Sequence, residues 1–320
     1  MRLDLDRIRR AQGVIDRVFQ HTPQYVCAPL GSSLGCSVTL KVETLNPVRS
    51  FKGRGSETVM SWLAQDEPGR AAICASAGNL GLALAYSGAR RNVPVTVVAA
   101  ERANRLKIDG IRALGATVRP EGDDIEDARR AAVEIAAAGG SYLVEDSLDL
   151  LTCDGAGTIG LELLDRPDQF DVVLIALGGG AMASGIGCVA KALAPRVEVL
   201  AVQPEGAPAM ALSWRSGAVV NSETIDTIAD GVAGRFPIPE VLGDLLVVVD
   251  DVVLVGEESI KAGMGLLHEH AGLIAEPSAA LGVAAVLEDR ERFAGRRVAT
   301  VICGSNVRPA DFERWVLARG

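Results

Sequence analysis

The run Val172-Val173-Leu174-Ile175-Ala176-Leu177-Gly178-Gly179-Gly180-Ala181-Met182 decides how this chain is to be read. From Val172 to Ala190 no residue is charged, which on hydropathy alone resembles a membrane span. Glycines inside such a helix would interrupt it, each costing about 1 kcal/mol against alanine. The run therefore reads as a buried strand, a glycine turn and a helix, and a strand apolar at every position belongs in a sheet covered on both faces. The three glycines let backbone N–H groups approach a ligand, and the helix behind them adds the positive end of its dipole, so the turn suits a phosphate. It lacks the Lys-Ser/Thr of a Walker loop and the G-x-G-x-x-G spacing of a dinucleotide turn.

The same alternation runs outward in both directions. Upstream, the strand candidates Ala71 to Ala75, Val95 to Val98 and Thr117 to Arg119 are each followed by a helical pattern, at Leu80 to Arg90, Asn104 to Leu114 and Ile125 to Ala138. Downstream, Val197 to Val202 and Val298 to Cys303 continue the series, and Val38 to Val42 precedes it. Leu5, Ile8, Val14, Ile15 and Val18 form a helical stripe closed by the Thr22-Pro23 turn. Strands alternating with helices predict parallel sheets, and two such runs predict two open α/β lobes. One comprises residues 1–43 with 149–320, and the other residues 44–148, with a ligand in the cleft between them.

Composition removes several function classes. A formal net charge of -9 with no Lys/Arg run repels polyphosphate, and 4% aromatic residues supply few stacking platforms, so no nucleic-acid partner is expected. Six scattered cysteines lack metal-ligand spacing and read as reduced thiols. The start, Met1 to Asp6, has no apolar run of the signal-peptide kind. A cytosolic protein with no membrane partner is the expectation.

Three loops at strand ends, and one before them, carry the chemistry. In Asn46-Pro47-Val48-Arg49-Ser50-Phe51-Lys52-Gly53-Arg54-Gly55 the amine of Lys52 stands between an aromatic ring and bare backbone, a setting for a desolvated lysine that forms a Schiff base with a flat carbonyl ligand. Ser76-Ala77-Gly78-Asn79-Leu80-Gly81 follows a strand and opens a helix, where free N–H groups can grip a carboxylate and Asn79 adds a neutral amide. A plain capped turn is the other reading of that loop. Gly178 to Met182 is the phosphate turn, and Cys303-Gly304-Ser305-Asn306 ends the last strand with a thiol able to act as an uncharged hydrogen-bond partner. An amine for an aldehyde, an anion grip, a phosphate nest and a neutral polar terminus together describe a site for pyridoxal 5'-phosphate.

These motifs, in this order and across almost the whole chain, resemble the fold-type II pyridoxal-phosphate enzymes, the tryptophan synthase β-like fold. The branch they resemble most is that of serine/threonine dehydratases (ammonia-lyases), with serine racemase as a relative. The resemblance implies Lys52 as the Schiff-base and catalytic residue and Ser76, Ala77, Gly78, Asn79 and Leu80 as the substrate-carboxylate loop. It further implies Phe51, Asn79, Gly178, Gly179, Gly180, Ala181, Met182, Gly231, Glu276 and Cys303 at the cofactor. Gly231 comes from Thr227-Ile228-Ala229-Asp230-Gly231, Glu276 from Glu276-Pro277-Ser278-Ala279, and Cys303 falls against the pyridine nitrogen. A homodimer is also implied.

The departures bear on substrate. Asn46-Pro47 is similar to threonine synthase and cysteine synthase wording, and Arg49 stands where a glycine is usual. Where dehydratases carry a Pro-Phe-Asp-Asp-Pro-like segment lining the substrate side chain, this chain reads Glu145-Asp146-Ser147-Leu148-Asp149 ahead of Gly155-Ala156-Gly157-Thr158. Ending at Gly320, the chain is expected to lack the regulatory domain of biosynthetic threonine dehydratases.

The activity implied is removal of water and then ammonia from a β-hydroxy amino acid, serine or threonine by default. Lys52 would take the α-proton, and an aminoacrylate-type product would hydrolyse to a 2-oxo acid. A thiol near its usual pKa at Cys303 cannot stabilise a pyridinium as a carboxylate does, which favours elimination over transamination. A β-replacement enzyme and a non-catalytic pyridoxal-phosphate carrier remain alternatives. No metal is expected: in the racemase-like metal segment this chain reads Gln203-Pro204-Glu205-Gly206-Ala207-Pro208-Ala209, short of oxygen ligands, and His268 and His270 point to different helix faces. Lys41 is expected to be structural. Ala77, at the position of the racemase's acid, predicts elimination with little racemisation.

Overall fold

The computed structural model describes residues 1–103, 105–166 and 169–319. Its strands in chain order are β1 (Gln24–Val26), β2 (Ser37–Val42), β3 (Ala72–Ala75), β4 (Val95–Ala99) and β5 (Thr117–Pro120), then β6 (Tyr142–Leu143), β7 (Val172–Ala176), β8 (Glu198–Pro204), β9 (Asp251–Val255) and β10 (Arg297–Ile302). They make two sheets, one of six strands in the order β1-β2-β10-β7-β8-β9 and one of four in the order β5-β4-β3-β6. Every pairing is parallel except β1 with β2. The fold is therefore α/β with open parallel sheets.

The position of β7 follows from its composition. Val172, Val173, Leu174 and Ile175 are fully buried, with β10 on one side, β8 on the other and helices over both faces. A strand without polar positions has no face to offer water, so it takes the middle of the sheet. Gly180 then turns the chain at φ +109°, in the left-handed region that glycine alone adopts without strain, and the helix Ala181–Leu193 begins. No helix among the described residues is long and apolar enough to cross a membrane.

Three local readings differ from the structure. The first helix spans Leu5–Val14 and stops short of Val18, because Ile15 turns into a core with Phe19, Val48 and Ala83. Asp16 then accepts from Val18 N (3.0 Å) and caps a separate 3-10 turn over Arg17–Phe19, leaving Val18 exposed. Strand β1, too short and too exposed at Tyr25 and Val26 to announce itself, pairs antiparallel at the edge. The helix expected from Asn104 spans Arg105–Ala113, and Asn104 itself lies outside the described residues.

Beneath the lysine loop sits a buried charged knot. Arg54, fully buried, donates Nε to Glu43 Oε2 (2.8 Å) and Nη1 to Glu162 Oε1 (2.7 Å), and Lys41 Nζ donates to Glu162 Oε2 (2.5 Å). Lys41 is structural in this sense: two cations and two carboxylates cancel in charge while joining β2, the helix Lys52–Asp66 and the helix Leu150–Leu163. Burial works against ionising Glu162, but the Arg54 and Lys41 hydrogen bonds and charges outweigh it and hold the carboxyl at about 2.

Candidate active site

Lys52 is the first residue of its helix, and the loop before it is tied down on two sides. Asn46 holds the turn from within, donating to Glu43 O (2.8 Å) and Ser50 O (3.1 Å) and accepting from Val48 N (3.1 Å). Arg49 has φ +51°, so its backbone occupies the left-handed conformation that a glycine would adopt at less cost. From outside, Phe51 N donates to Cys303 O (3.0 Å) and Ser305 N to Arg49 O (3.0 Å), which docks the lysine loop on the loop after β10. The Lys52 amine lies 4.5 Å from the centre of the Phe51 ring and pairs with the carboxylate of Asp146.

All four loops singled out in the sequence reach one cleft of about 460 Å³ at the carboxyl ends of the strands. Phe51 and Lys52 line one wall; Ser76, Ala77, Gly78, Asn79 and Leu80 line the next. Gly178, Gly179, Gly180, Ala181 and Met182 line the cleft too, as do Gly231, Glu276 and Cys303. The size falls within the range of small-molecule sites.

Each loop has an identifiable support. Ser76 Oγ accepts from Gly78 N (3.2 Å), shaping the turn into the helix Asn79–Arg91. Asn79 donates Nδ2 to Glu276 Oε1 (2.9 Å) and accepts at Oδ1 from Asn306 Nδ2 (2.7 Å). Glu276 also accepts from Ser278 Oγ (3.1 Å) and Asn306 N (3.2 Å), so its oxygens face this network and it stands behind Asn79. Burial pushes its carboxyl up. Behind the glycine turn, Ser147 Oγ accepts from Ala181 N (3.2 Å), and a Cβ on Gly179 would meet that oxygen at 2.4 Å.

The thiol of Cys303 departs from the expectation of a near-normal pKa: burial, with the nearby Glu276, pushes it up to about 12. It is an uncharged group at neutral pH by a wider margin than the sequence implied. Across the mouth, Lys107 Nζ reaches Asp230 Oδ2 at 3.1 Å.

This donor set fits pyridoxal phosphate. The Lys52 amine lines the cleft where an aldehyde could meet it, the glycine turn stands at a helix N-terminus and packs so closely on Ser147 that a Cβ at Gly179 would meet its Oγ at 2.4 Å, and the polar terminus is neutral. The profile of a family described as "Pyridoxal-phosphate dependent enzyme" matches residues 15–304. The chain belongs to that family. It is a pyridoxal-phosphate dependent enzyme of fold type II. The L-threonine ammonia-lyase of Thermotoga maritima is 35% identical over 310 residues, 95% of this chain and 76% of that protein. The L-threo-3-hydroxyaspartate ammonia-lyase of Saccharomyces cerevisiae is 31% identical over 307 residues, 95% of this chain and 93% of its own length. The solved structure of maize serine racemase superposes with a TM-score of 0.91 at 25% identity, covering 100% of both chains.

Sequence reasoning did not single out Asp146, Ser147, Asn306, or the pair of Lys107 with Asp230 as site residues. The signal for Asp146 and Ser147 was present in the departing segment Glu145 to Asp149, which runs directly into a helix capped by Asp149. Thr227 and Ile228 stay outside the cleft and line an adjoining groove with Arg102 and Arg308. Gln203 Oε1 accepts from Ala211 N (2.9 Å) and so serves the helix Ala209–Ser216.

Proposed function

We propose that this enzyme is an ammonia-lyase that takes a β-hydroxy amino acid, L-serine or L-threonine, to a 2-oxo acid and ammonia by α,β-elimination. The observation that carries the reading is that the Lys52 amine and the uncharged Cys303 thiol line the same cleft. Bound pyridoxal phosphate supplies the electron sink that makes the α-proton of an attached amino acid acidic. Lys52 would hold the cofactor and then, freed, take that proton at Nζ, with proximity supplying much of the rate. Cys303, as a neutral partner, leaves the ring less able to store the negative charge, so departure of the β-hydroxyl as water competes well. The turn of Ser76 to Gly78 and the N-terminus of the helix after it would seat the substrate carboxylate. The N–H groups around Gly178 to Met182 would seat the phosphate.

The test is to incubate the holoenzyme with each amino acid and measure 2-oxo acid and ammonia in equal amounts. Absence of both, or a product formed only when sulfide is added, would overturn it in favour of a carrier or a β-replacement enzyme. A cytosolic homodimer belongs to the same reading, and light scattering should return twice the mass of one chain.

A further inference from the structure

Asp146 is the acidic side chain that meets the catalytic amine. It stands in the loop between β6 and the helix Leu150–Leu163, pairs with Lys52 Nζ, and is 32% exposed to the cleft that it lines. Carboxylates that only secure this fold are placed differently. Glu43 and Glu162 are buried and fully engaged by Arg54 and Lys41.

Geometry fixes what Asp146 would face. On the reading above, Lys52 Nζ comes within hydrogen-bond reach of the substrate's α-proton, about 3 Å. The carboxylate of Asp146 touches the same nitrogen and lines the same cleft, so it lies within roughly two such contacts of Cα, close enough to reach a β-substituent. The other charged groups around this space are turned elsewhere. Glu276 accepts from Asn79, Ser278 and Asn306, Asp149 accepts from Tyr142 and Leu151 N, and Lys107 is paired with Asp230 at the mouth. When Lys52 is committed to the cofactor, Asp146 keeps acceptor capacity that the substrate can satisfy.

We propose that Asp146 determines specificity for the β-substituent: it selects amino acids whose β-group donates a hydrogen bond or is cationic, a hydroxyl or an amine, and rejects a β-carboxylate. A β-amine would leave as a β-hydroxyl does. The α-proton passes to Lys52, the Cα–Cβ double bond forms, and the Cβ–N bond breaks with its electron pair going to the departing ammonia, so no oxidant is required. The inference sets this chain apart from its yeast relative, named for 3-hydroxyaspartate, whose β-carbon carries a carboxylate.

The experiment titrates the holoenzyme with L-alanine, L-aspartate and L-2,3-diaminopropionate, following the absorbance of the bound cofactor to obtain dissociation constants. The wild-type protein, Asp146→Asn and Asp146→Ser are compared. Aspartate should bind at least fivefold more weakly than alanine to the wild type, and diaminopropionate at least as tightly as alanine. Both substitutions should narrow the aspartate-to-alanine ratio at least fivefold. A smaller change in both variants overturns the proposal, as does a wild type that binds aspartate as tightly as alanine. The wild-type order decides alone if neither variant retains cofactor. Should the ratios shift as expected while no amino acid yields a 2-oxo acid, the lyase reading fails and the role of Asp146 stands.

Discussion

Asn306 donates Nδ2 to Asn79 Oδ1 at 2.7 Å, joining the loop after the last strand of the larger sheet to the helix that opens after β3 of the smaller one. The bond orients the Asn79 amide, since with Oδ1 occupied by a donor, Nδ2 is the end turned to Glu276. Asn306→Ala removes the partner and frees the amide to rotate. We expect roughly a fivefold loss of cofactor affinity, in line with about 1 kcal/mol for one hydrogen bond, with the melting midpoint of the apoprotein little changed. Fluorescence titration of apoprotein with pyridoxal phosphate measures it.

Lys52→Ala should abolish the covalent attachment of cofactor and all turnover. Lys107 also lines the cleft but is committed to Asp230. Borohydride reduction followed by peptide mass spectrometry is the check, and a cofactor adduct on Lys107 would refute the assignment.

Activity should be indifferent to chelators. Gln203, which stands where a carboxylate would be needed, spends its carbonyl oxygen on Ala211 N, and Ala209 offers no side-chain ligand. Turnover lost to a chelator and restored by magnesium or calcium would contradict this.

Deamination should far outpace racemisation. Ala77 lines the cleft without a transferable proton, and the neighbouring Ser76 hydroxyl is held by Gly78 N within its own turn. With L-serine as substrate, D-serine forming as fast as pyruvate would refute the expectation, and Ala77→Ser should raise the share of D-serine.

The buried knot predicts acid sensitivity. A carboxyl whose folded pKa lies below its ordinary 4.5 contributes stability that is complete above 4.5 and lost as pH falls towards 2, the value at which Glu162 is held. The amount is on the order of 3 kcal/mol. The melting midpoint should fall across that window, and less steeply in Glu162→Gln. Arg54→Ala leaves Glu43 without its cation in the core, while Glu162 keeps Lys41, and should cost about 3–5 kcal/mol at neutral pH.

How much of this was legible in the sequence depended on whether the signal was local. The strand-glycine-helix unit at Val172 to Met182 could be read because apolar continuity and a glycine turn are properties of consecutive residues. That the loops of Lys52, Asn79, Gly180 and Cys303 serve one site could be read from their chemistry and their places at strand ends, and the family resemblance added their roles, but nothing in their spacing gives a distance between loops. Asp146 escaped as a site residue because a carboxylate in an acidic loop has the composition of a solvated one, and only the return of the chain places it at the lysine. Arg54 escaped for the converse reason. Its partners Glu43 and Glu162 lie 11 and 108 positions away, and a guanidinium in a glycine-rich stretch gives no sign of being buried.

The pair of Lys107 with Asp230 spans the cleft mouth with side chains 30% and 72% exposed. A contact so wet contributes at most about 1 kcal/mol, too little to hold the cleft shut by itself. It is strong enough, however, to bias any opening of the mouth that it spans. Because salt screens such a pair within about 10 Å at 0.1 M and 3 Å at 1 M, the ionic strength of the medium sets how strongly the pair holds the mouth. Where release of product limits turnover, the enzyme should run faster in brine than in dilute buffer.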